Sequence, residues 1–415
     1  MMIKQYRSFN FNRIIYIVFS VIISIIGFSR SYVMMKYFNF ESLGIITIIQ
    51  TIISLVSVMQ FGLINGGYRL VSVDKSRISE TNNIIYSFIL IVLIVAPFPL
   101  IIIMAQGFYS IKDLQWIFVG IIAGVFLLAK NWTNNLLIAI KELNVLNNIT
   151  LITNLFSLSP LFFIDRLGLW AGIISISVQP ILFIAFSFLK TRSTRPTQFF
   201  FSIKSIRHIL SFGFIPFVIG IIEMFNLQIE RWGMTFYLGI EDLGKFYLPS
   251  IYASIFLIIP SALNNILFPD AMQTFVSHNK PAFYKLIRNY YILITIYSIF
   301  VIIVTLLFMN SVIGYFLPRH LPYTKLVYYI LPGLIGILYI APINLYFNAS
   351  VKLIPMLIVY STSVLFNTIL LFSFNAFEIL SLENFAIFRS IIGLFILTGF
   401  IISFKILNNG EIRKI

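Results

Sequence analysis

Long apolar runs, separated by short segments that carry Lys or Arg, constrain the fold of this chain more than any other feature. An apolar α-helix of about 20 residues spans the hydrocarbon core of a bilayer. Hydrophobic residues make up 59% of the 415 residues and charged residues only 10%, which is more apolar material than one soluble core needs. The sequence therefore predicts an all-α membrane protein and argues against a soluble enzyme.

The apolar runs predict twelve transmembrane helices, six in each half of the chain. Short connections, such as the one from Asp165 to Gly168, make neighbouring helices antiparallel. Interior prolines predict kinks, because proline removes a backbone hydrogen bond; examples are Pro216, Pro249 and Pro260. The predicted spans are 13–35, 43–64, 83–104, 116–139, 146–164, 169–189, 209–236, 243–265, 289–309, 324–346, 353–374 and 385–406.

Lys and Arg residues are concentrated in alternate connecting segments. Positively charged short loops stay in the cytoplasm, and most of the 29 Lys and Arg residues fall on the side that carries both termini. The sequence therefore predicts two cytoplasmic termini. The most basic connection, residues 191–207, is predicted to link an N-terminal bundle, 1–190, to a C-terminal bundle, 208–415. Cytoplasmic retention is the favoured explanation of its charge, and binding of anionic lipid headgroups is the alternative.

The two halves contain similar motifs at corresponding positions. The stretch from Tyr37 to Gly44, Tyr-Phe-Asn-Phe-Glu-Ser-Leu-Gly, is repeated from Tyr237 to Gly244 as Tyr-Leu-Gly-Ile-Glu-Asp-Leu-Gly. With an even number of helices in each half, both repeats enter the membrane in the same direction. The pattern predicts a pseudo-twofold axis along the membrane normal, an arrangement typical of alternating-access transporters. Chance similarity between apolar segments is the alternative.

Five basic residues fall inside or at the start of the predicted spans: Arg30, Lys130, Arg231, Lys245 and Arg389. Lys130 lies near the middle of the fourth span, and Asn134 shares its helix face one turn further on. We predict that both face an aqueous cavity between the bundles, with a structural hydrogen-bonding role for Lys130 as the alternative. The three arginines lie toward the outer ends of their helices, so their side chains could instead extend to the headgroups.

The seventh span carries two acids. Glu223 and Glu230 share one helix face, with Asn226 between them. An acid inside a membrane is neutral, paired with a cation, or part of a proton or sodium pathway. Both residues are candidates for ion coupling. We predict that Glu223 senses protons or sodium and that Glu230 is held in an ion pair, with Arg30 as a partner across the bundle.

No motif for covalent chemistry or nucleotide hydrolysis is present in the sequence. Without cysteine there is no disulfide or thiolate chemistry, and the three histidines lie too far apart to suggest a metal site. The net charge of +15 is spread over short loops, so a nucleic acid is not an expected partner. The sequence predicts a transporter without cofactor or metal, driven by a gradient or by removal of its product.

Several motifs carry a resemblance to a known family. In the first half they are Ser29-Arg-Ser-Tyr32, Tyr37 to Gly44, and Phe61-Gly-Leu-Ile-Asn-Gly-Gly-Tyr-Arg69. In the second half they are Ser211-Phe-Gly-Phe-Ile-Pro216, Glu230-Arg231, Leu243-Gly-Lys-Phe246 and Pro260-Ser-Ala-Leu263. Together they resemble the Wzx-type O-antigen and polysaccharide flippases of the multidrug/oligosaccharidyl-lipid/polysaccharide (MOP) exporter superfamily.

The resemblance implies a function as well as a fold. It implies two six-helix bundles in a MATE-like V, and an undecaprenyl-pyrophosphate-linked oligosaccharide, of O-antigen or capsule type, carried across the bacterial inner membrane to the periplasmic leaflet. It implies membrane lipids, a polysaccharide polymerase and a chain-length regulator as partners. The basic cavity residues of the family would correspond to Arg30, Lys130 and Arg231. Phe246 replaces the usual Tyr of the family pattern, and Glu230 the usual Asp.

Two other functions are weighed against this one. A cation-coupled multidrug exporter of the same fold typically needs a carboxylate in its first helix, whereas the first span here contains Arg30 and no Asp or Glu. A polysaccharide polymerase or glycosyltransferase would need a large periplasmic loop with catalytic residues, and the predicted outer loops are short. The lipid-linked substrate is therefore favoured.

Overall fold

Helices account for nearly all of the described chain. The computed structural model describes residue 19 and residues 22–98, 111–350 and 352–412, and it contains no β-strand within these ranges. Eleven segments there are long and apolar enough to cross a membrane, and each overlaps one predicted span from the second to the twelfth. The first predicted span, 13–35, lies partly outside the described residues and is helical from residue 22. The all-α fold class is confirmed.

The helices are labelled here in chain order. In the first half they are α1 (22–37), α2 (Phe40–Ser57), α3 (Leu63–Val73), α4 (Ile78–Val95), α5 (Ile111–Ala139), α6 (Leu143–Leu158) and α7 (Leu169–Lys190). In the second half they are α8 (Ile203–Tyr237), α9 (Ile240–Lys245), α10 (Tyr247–Phe256), α11 (Ile258–Val276), α12 (Lys280–Phe316), α13 (Thr324–Ala349), α14 (Ile354–Ala376) and α15 (Leu382–Ile412).

The predicted span 43–64 is interrupted before its end. α2 ends at Ser57, and α3 begins at Leu63 after a turn. Gly62 has φ 91°, a left-handed conformation that glycine adopts without strain. The turn changes the direction of the chain, so α3 forms a separate helix with its own packing face.

Glycines bring α3 against the beginning of α8. A Cβ atom added at Gly62 would lie 2.9 Å from the carbonyl oxygen of Gly213, and one at Gly66 would overlap the carbonyl oxygen of Ile209. Arg69 Nη1, one turn further along α3, donates to the carbonyl oxygen of Phe212 at 3.3 Å. Small residues allow such close backbone approach between membrane helices. The motif from Phe61 to Arg69 is therefore a packing element.

The predicted kink at Pro260 is a break between α10 and α11. Proline cannot donate to the carbonyl oxygen four residues earlier, which here belongs to Phe256. The hydroxyl of Tyr297 lies 2.9 Å from that oxygen and donates to it, and the hydroxyl of Tyr290 donates to the Pro260 oxygen at 3.1 Å. Both tyrosines belong to α12, which therefore satisfies the backbone at the break.

The chain forms two compact units. The described residues of the N-terminal unit lie within 32–38 and 45–221, and those of the C-terminal unit lie within 1–31, 39–44 and 222–415. The boundary at residue 222 falls inside α8 and not in the basic linker, because the glycine contacts above hold the beginning of α8 against α3. The division into bundles 1–190 and 208–415 stays a prediction.

The repeated motif packs against its own counterpart within the C-terminal unit. A Cβ atom at Gly44 would overlap the carbonyl oxygen of Ile240, and one at Gly244 would overlap the carbonyl oxygen of Phe40. Phe40 and Ile240 occupy corresponding positions of the two repeats, as do Gly44 and Gly244. The contact is therefore reciprocal, as a twofold relation requires.

This contact gives a prediction for stability. Replacing Gly244 by alanine should lower the free energy of unfolding by about 1–3 kcal/mol, because the added methyl group must push two backbones apart. Thermal unfolding in detergent measures the change. Gly220→Ala is the matched control, since no atom lies within 4 Å of its added Cβ and alanine is favoured in a helix interior. Equal melting temperatures for the two variants would contradict the prediction.

Candidate transport site

The C-terminal unit encloses a cavity of about 420 Å³. Segments α8, α11, α13, α14 and α15 supply its walls, and apolar residues such as Leu257, Ile337 and Ile392 line much of it. Its polar side chains include two acids, five amides and one arginine: Glu223, Glu230, Asn226, Asn264, Asn344, Asn348, Asn367 and Arg389. A polar cavity inside apolar spans is the usual setting for transport and ion coupling.

One face of α8 presents three of these side chains. Glu223, Asn226 and Glu230 follow one another at helical spacing, as predicted, and all three line the cavity. The Asn226 amide donates to Ser363 Oγ at 2.6 Å, and the Asn367 amide donates to the Asn226 carbonyl oxygen at 3.2 Å. These bonds fix the middle of α8 against α14 and set the orientation of the acidic face.

Glu230 forms an ion pair with Arg389. Arg389 Nη1 lies 3.7 Å from Glu230 Oε2, and the two side chains are only 16% and 9% exposed. The predicted partner Arg30 is not the residue seen in this pair. Extension to the headgroups was the alternative for Arg389, whose side chain lies against the buried countercharge of Glu230. The sequence could not identify this pair, because its members lie on helices distant in the chain.

The close packing of α13 and α15 positions Arg389. A Cβ atom at Gly393 would overlap the carbonyl oxygen of Gly333, and the Gly333 amide donates to Ser390 Oγ at 3.1 Å. The Ser390 hydroxyl in turn donates to the carbonyl oxygen of Tyr329. These contacts fix the turn of α15 that carries Arg389 and direct its guanidinium toward α8.

Several buried polar atoms at the cavity have no hydrogen-bond partner among the described residues. They are Asn226 Oδ1, Glu230 Oε1, Asn264 Oδ1, Asn344 Oδ1 and Arg389 Nε. Four of the five are oxygen acceptors, and leaving a buried acceptor unsatisfied costs about 1–3 kcal/mol each. The cavity is therefore suited to a group that donates hydrogen bonds or carries positive charge.

Glu223 lies at the same cavity beside Tyr360. Its side chain is exposed, in contrast to that of Glu230, and it interacts electrostatically with Tyr360. The amide of Asn344 donates to the Tyr360 hydroxyl at 3.4 Å, and the amide of Asn348 to the Asn344 carbonyl oxygen at 2.9 Å. Glu223 is thus an accessible acid beside a polar network from α13 and α14.

A second group of charged residues surrounds Tyr247 at the beginning of α10. Arg30 and Arg231, both half-buried, interact electrostatically with this buried tyrosine. Arg231 also interacts with Glu230 and Arg389. The structure therefore brings three arginines and one acid into one region of the C-terminal unit. We call Arg30, Arg231 and Arg389 the arginine cluster.

Tyr247 also bears on the departure from the family pattern at Phe246. The ring of Phe246 is fully buried. Burial suits a side chain that has the aromatic ring of the usual Tyr but not its hydroxyl. A hydroxyl is present on the next residue, Tyr247, where the two arginines interact with it. The sequence signal that could have found it was the Phe-Tyr pair itself.

The other two predicted cavity residues belong to the N-terminal unit. Lys130 Nζ donates to Gln179 Oε1 at 2.8 Å and lies 5.7 Å from the centre of the Phe183 ring. Gln179 donates in turn to Thr153 Oγ1 at 3.2 Å. Lys130 therefore forms a structural hydrogen bond, the role given above as the alternative to facing a cavity. Asn134 is half-buried in the same unit. A cavity role for either residue stays a prediction.

Sequence reasoning missed the amides of α13 and α14 because it considered amides only where they share a helix face with a charged residue. Asn344 and Asn348 lie one turn apart within an apolar span, a spacing that places both on one helix face. Asn367 is a third amide inside an apolar helix. Polar side chains at helical spacing inside a membrane span were therefore the available signal for this wall of the cavity.

Comparisons with known proteins identify the fold. No family model and no curated protein matches the sequence. The structure is similar to an inward-facing multidrug resistance MATE family transporter of the MOP superfamily, with TM-score 0.70 and 13% identity over 96% of this chain and 98% of that one. It is also similar to the lipid II flippase MurJ in an inward closed conformation, with TM-score 0.70 and 17% identity over 94% and 87%.

A third similar structure is a MOP superfamily transporter from Pyrococcus furiosus, described as having a binding pocket of reverse polarity. Its TM-score is 0.65, with 14% identity over 93% of this chain and 94% of that one. The chain therefore has the fold of MOP-superfamily transporters. At such identities the likeness shows the fold alone, so the substrate must be argued from the side chains of this chain.

The ion pair in the cavity gives a second prediction. Arg389→Met should lower the free energy of unfolding by about 3 kcal/mol, because it leaves Glu230 as a buried charge that has lost its close partner. The double variant Glu230→Gln with Arg389→Met should recover much of this loss. Unfolding in detergent measures both. Additive losses in the double variant would show that the two side chains do not stabilise one another.

Proposed function

We propose that this chain is a flippase for an oligosaccharide linked to undecaprenyl pyrophosphate. It would move the repeat unit of an O-antigen or capsule from the cytoplasmic to the periplasmic leaflet of a bacterial inner membrane, without covalent chemistry. Its two termini would be cytoplasmic, and a polymerase with its chain-length regulator would act on the product. The observation that carries the proposal is the arginine cluster, in which Arg389 pairs with Glu230 and Arg231 interacts with both.

The arginine cluster suits a pyrophosphate for physical reasons. A pyrophosphate is a compact anion, and bringing it into apolar surroundings is very costly unless cations compensate it. Arginine binds phosphate oxygens through two parallel hydrogen bonds and stays charged when buried. Glu230 is the acid that interacts with Arg231 and Arg389 in the part of the chain that the structure describes. Three arginines beside this acid would supply the positive charge that the headgroup requires.

The neighbouring cavity supplies groups suited to a sugar. Its asparagine side chains can exchange hydrogen bonds with sugar hydroxyls, which would satisfy the unpaired oxygens of Asn226, Asn264 and Asn344. A volume of about 420 Å³ falls in the range of small-molecule sites. Lys130 and Asn134 are the proposed substrate-binding residues of the N-terminal unit.

Binding of defined lipids to the purified protein tests the substrate. Arg231→Ala should weaken binding of undecaprenyl pyrophosphate about 10- to 100-fold, because a charge-assisted hydrogen bond contributes about 1.5–3 kcal/mol. Undecaprenyl monophosphate should bind more weakly than the pyrophosphate, and Arg231→Ala should reduce its affinity by a smaller factor. Arg166→Ala, at an exposed outer position, is the matched control. If organic cations bind tightly and Arg231→Ala does not change their affinity, the multidrug exporter would be favoured instead. The observation that supports this second function is the set of unpaired oxygens in the cavity.

Glu223 is proposed as the site of ion coupling. Its side chain lines the cavity beside Tyr360, where most of the unsatisfied buried atoms are oxygens. A proton or sodium ion bound there would change the charge of the cavity and bias an equilibrium between two conformations. Glu230 is held in its ion pair with Arg389 and is less available for this role.

Transport in proteoliposomes tests the coupling. With an imposed proton or sodium gradient, flipping by the unmodified protein should accelerate, and Glu223→Gln should lose that acceleration while keeping its basal rate. Glu142→Gln, an exposed acid outside the cavity, is the control. A full gradient response in Glu223→Gln would place the coupling residue elsewhere.

A further inference from the structure

The basic linker is a structured part of the N-terminal unit. Its first residues are fixed to the end of α7, where Thr194 Oγ1 donates to the Ser187 carbonyl oxygen at 3.0 Å and Arg195 Nε donates to the Phe188 carbonyl oxygen. The Asn82 amide of α4 donates to the Thr194 carbonyl oxygen at 3.3 Å. Trp132 Nε1 holds Asn82 in place through a bond of 2.8 Å. The linker therefore starts from a fixed position beside α4.

Further hydrogen bonds join the linker to α4, first at later positions of the helix and then again near its beginning. The backbone amide of Thr197 donates to Asn83 Oδ1 at 2.9 Å, and that of Phe200 donates to Ser87 Oγ at 2.8 Å. After this the chain reverses, because Ser205 Oγ donates to Glu80 Oε1 at 2.8 Å. The linker thus approaches α4 near its start, descends to Ser87, and returns to Glu80.

The contact furthest along α4, between Phe200 and Ser87, lies within a predicted membrane span. Ser87 is four residues beyond the start of the predicted span 83–104, or about 6 Å along the axis of α4. A segment at this depth is near the boundary between headgroups and acyl chains. The side chains that it exposes there would meet lipid.

The exposed side chains at this point are aromatic and apolar. Phe199, Phe200 and Phe201 are 66%, 42% and 55% exposed, and Ile203 is 77% exposed. Such exposure of four consecutive or near-consecutive large apolar residues would be unfavourable in water. Burial of aromatic side chains at the headgroup boundary removes this cost.

Basic residues flank the aromatic segment on both sides. They are Lys190, Arg192, Arg195, Lys204 and Arg207, and all are exposed. No Asp or Glu occurs in the sequence between Asp165 and Glu223, and Glu80 is the acid that contacts the linker, through Ser205. Each Lys or Arg near an anionic membrane surface contributes about 1 kcal/mol. The charge on this surface therefore complements an anionic leaflet.

We propose that residues 190–207 form an interfacial anchor that inserts Phe199–Phe201 into the adjacent leaflet and binds its anionic phospholipids. With the predicted orientation this is the cytoplasmic leaflet, where anionic lipids are enriched. The anchor depends on neither the transported substrate nor the coupling ion. It fixes the end of α7 and the beginning of α8 at one depth in the membrane.

The absence of cysteine from the sequence allows a clean test with single spin labels. Phe200→Cys, labelled and reconstituted in phosphatidylglycerol vesicles, should be accessible to oxygen and protected from an aqueous nickel relaxant. Leu307→Cys, at an exposed apolar position of α12, serves as the lipid control, and Ser193→Cys, at an exposed linker position, as the aqueous control. In pure phosphatidylcholine the label at position 200 should become at least severalfold more accessible to nickel.

Charge variants test the lipid class. Replacing Arg192, Lys204 and Arg207 by Gln should abolish the difference between the two lipids, whereas replacing Lys280, Lys285 and Arg288, three exposed basic residues around the beginning of α12, should leave it unchanged. A label open to nickel in every lipid would overturn the insertion. Equal protection in both lipids and in both variants would overturn the binding of anionic lipid. Neither result would bear on the proposed substrate.

Discussion

Every polar group inside an apolar span must find its partner within the protein, and the structure depends on how this is achieved. Lipid offers no hydrogen bonds, so Tyr297 of α12 donates to the carbonyl oxygen that Pro260 leaves without its helical partner. Lys130 donates to Gln179 for the same reason. At the cavity of the C-terminal unit this rule is only partly met, since several oxygens there lack donors. Five of the eleven buried side-chain atoms that lack a partner among the described residues belong to residues that line this cavity.

The sequence predicted the helices well because the thickness of the bilayer sets the length of each apolar run. It predicted helix ends less well: α12 runs from Lys280 to Phe316, well beyond the predicted 289–309, since a helix can continue past the hydrocarbon layer with polar residues. It identified the acidic face of α8 from spacing alone. It could not predict that Glu230 pairs with Arg389, because a contact between distant helices depends on their packing and not on local periodicity.

Glycine positions explain motifs whose meaning was not apparent in the sequence. The segment from Phe61 to Arg69 resembles a family motif, and the structure shows that Gly62 and Gly66 allow α3 to touch the beginning of α8. The same principle holds α13 against α15 at Gly333 and Gly393. These close approaches position Arg389 and the beginning of α8. The charged groups of the site thus depend on residues that have no side chain.

Each compact unit contains the beginning of the first helix of the other half of the chain. Residues 22–31 of α1 belong to the C-terminal unit, and residues 203–221 of α8 belong to the N-terminal unit. A six-helix segment cut from the chain at the linker would therefore lack one helical piece and carry another without its packing partner.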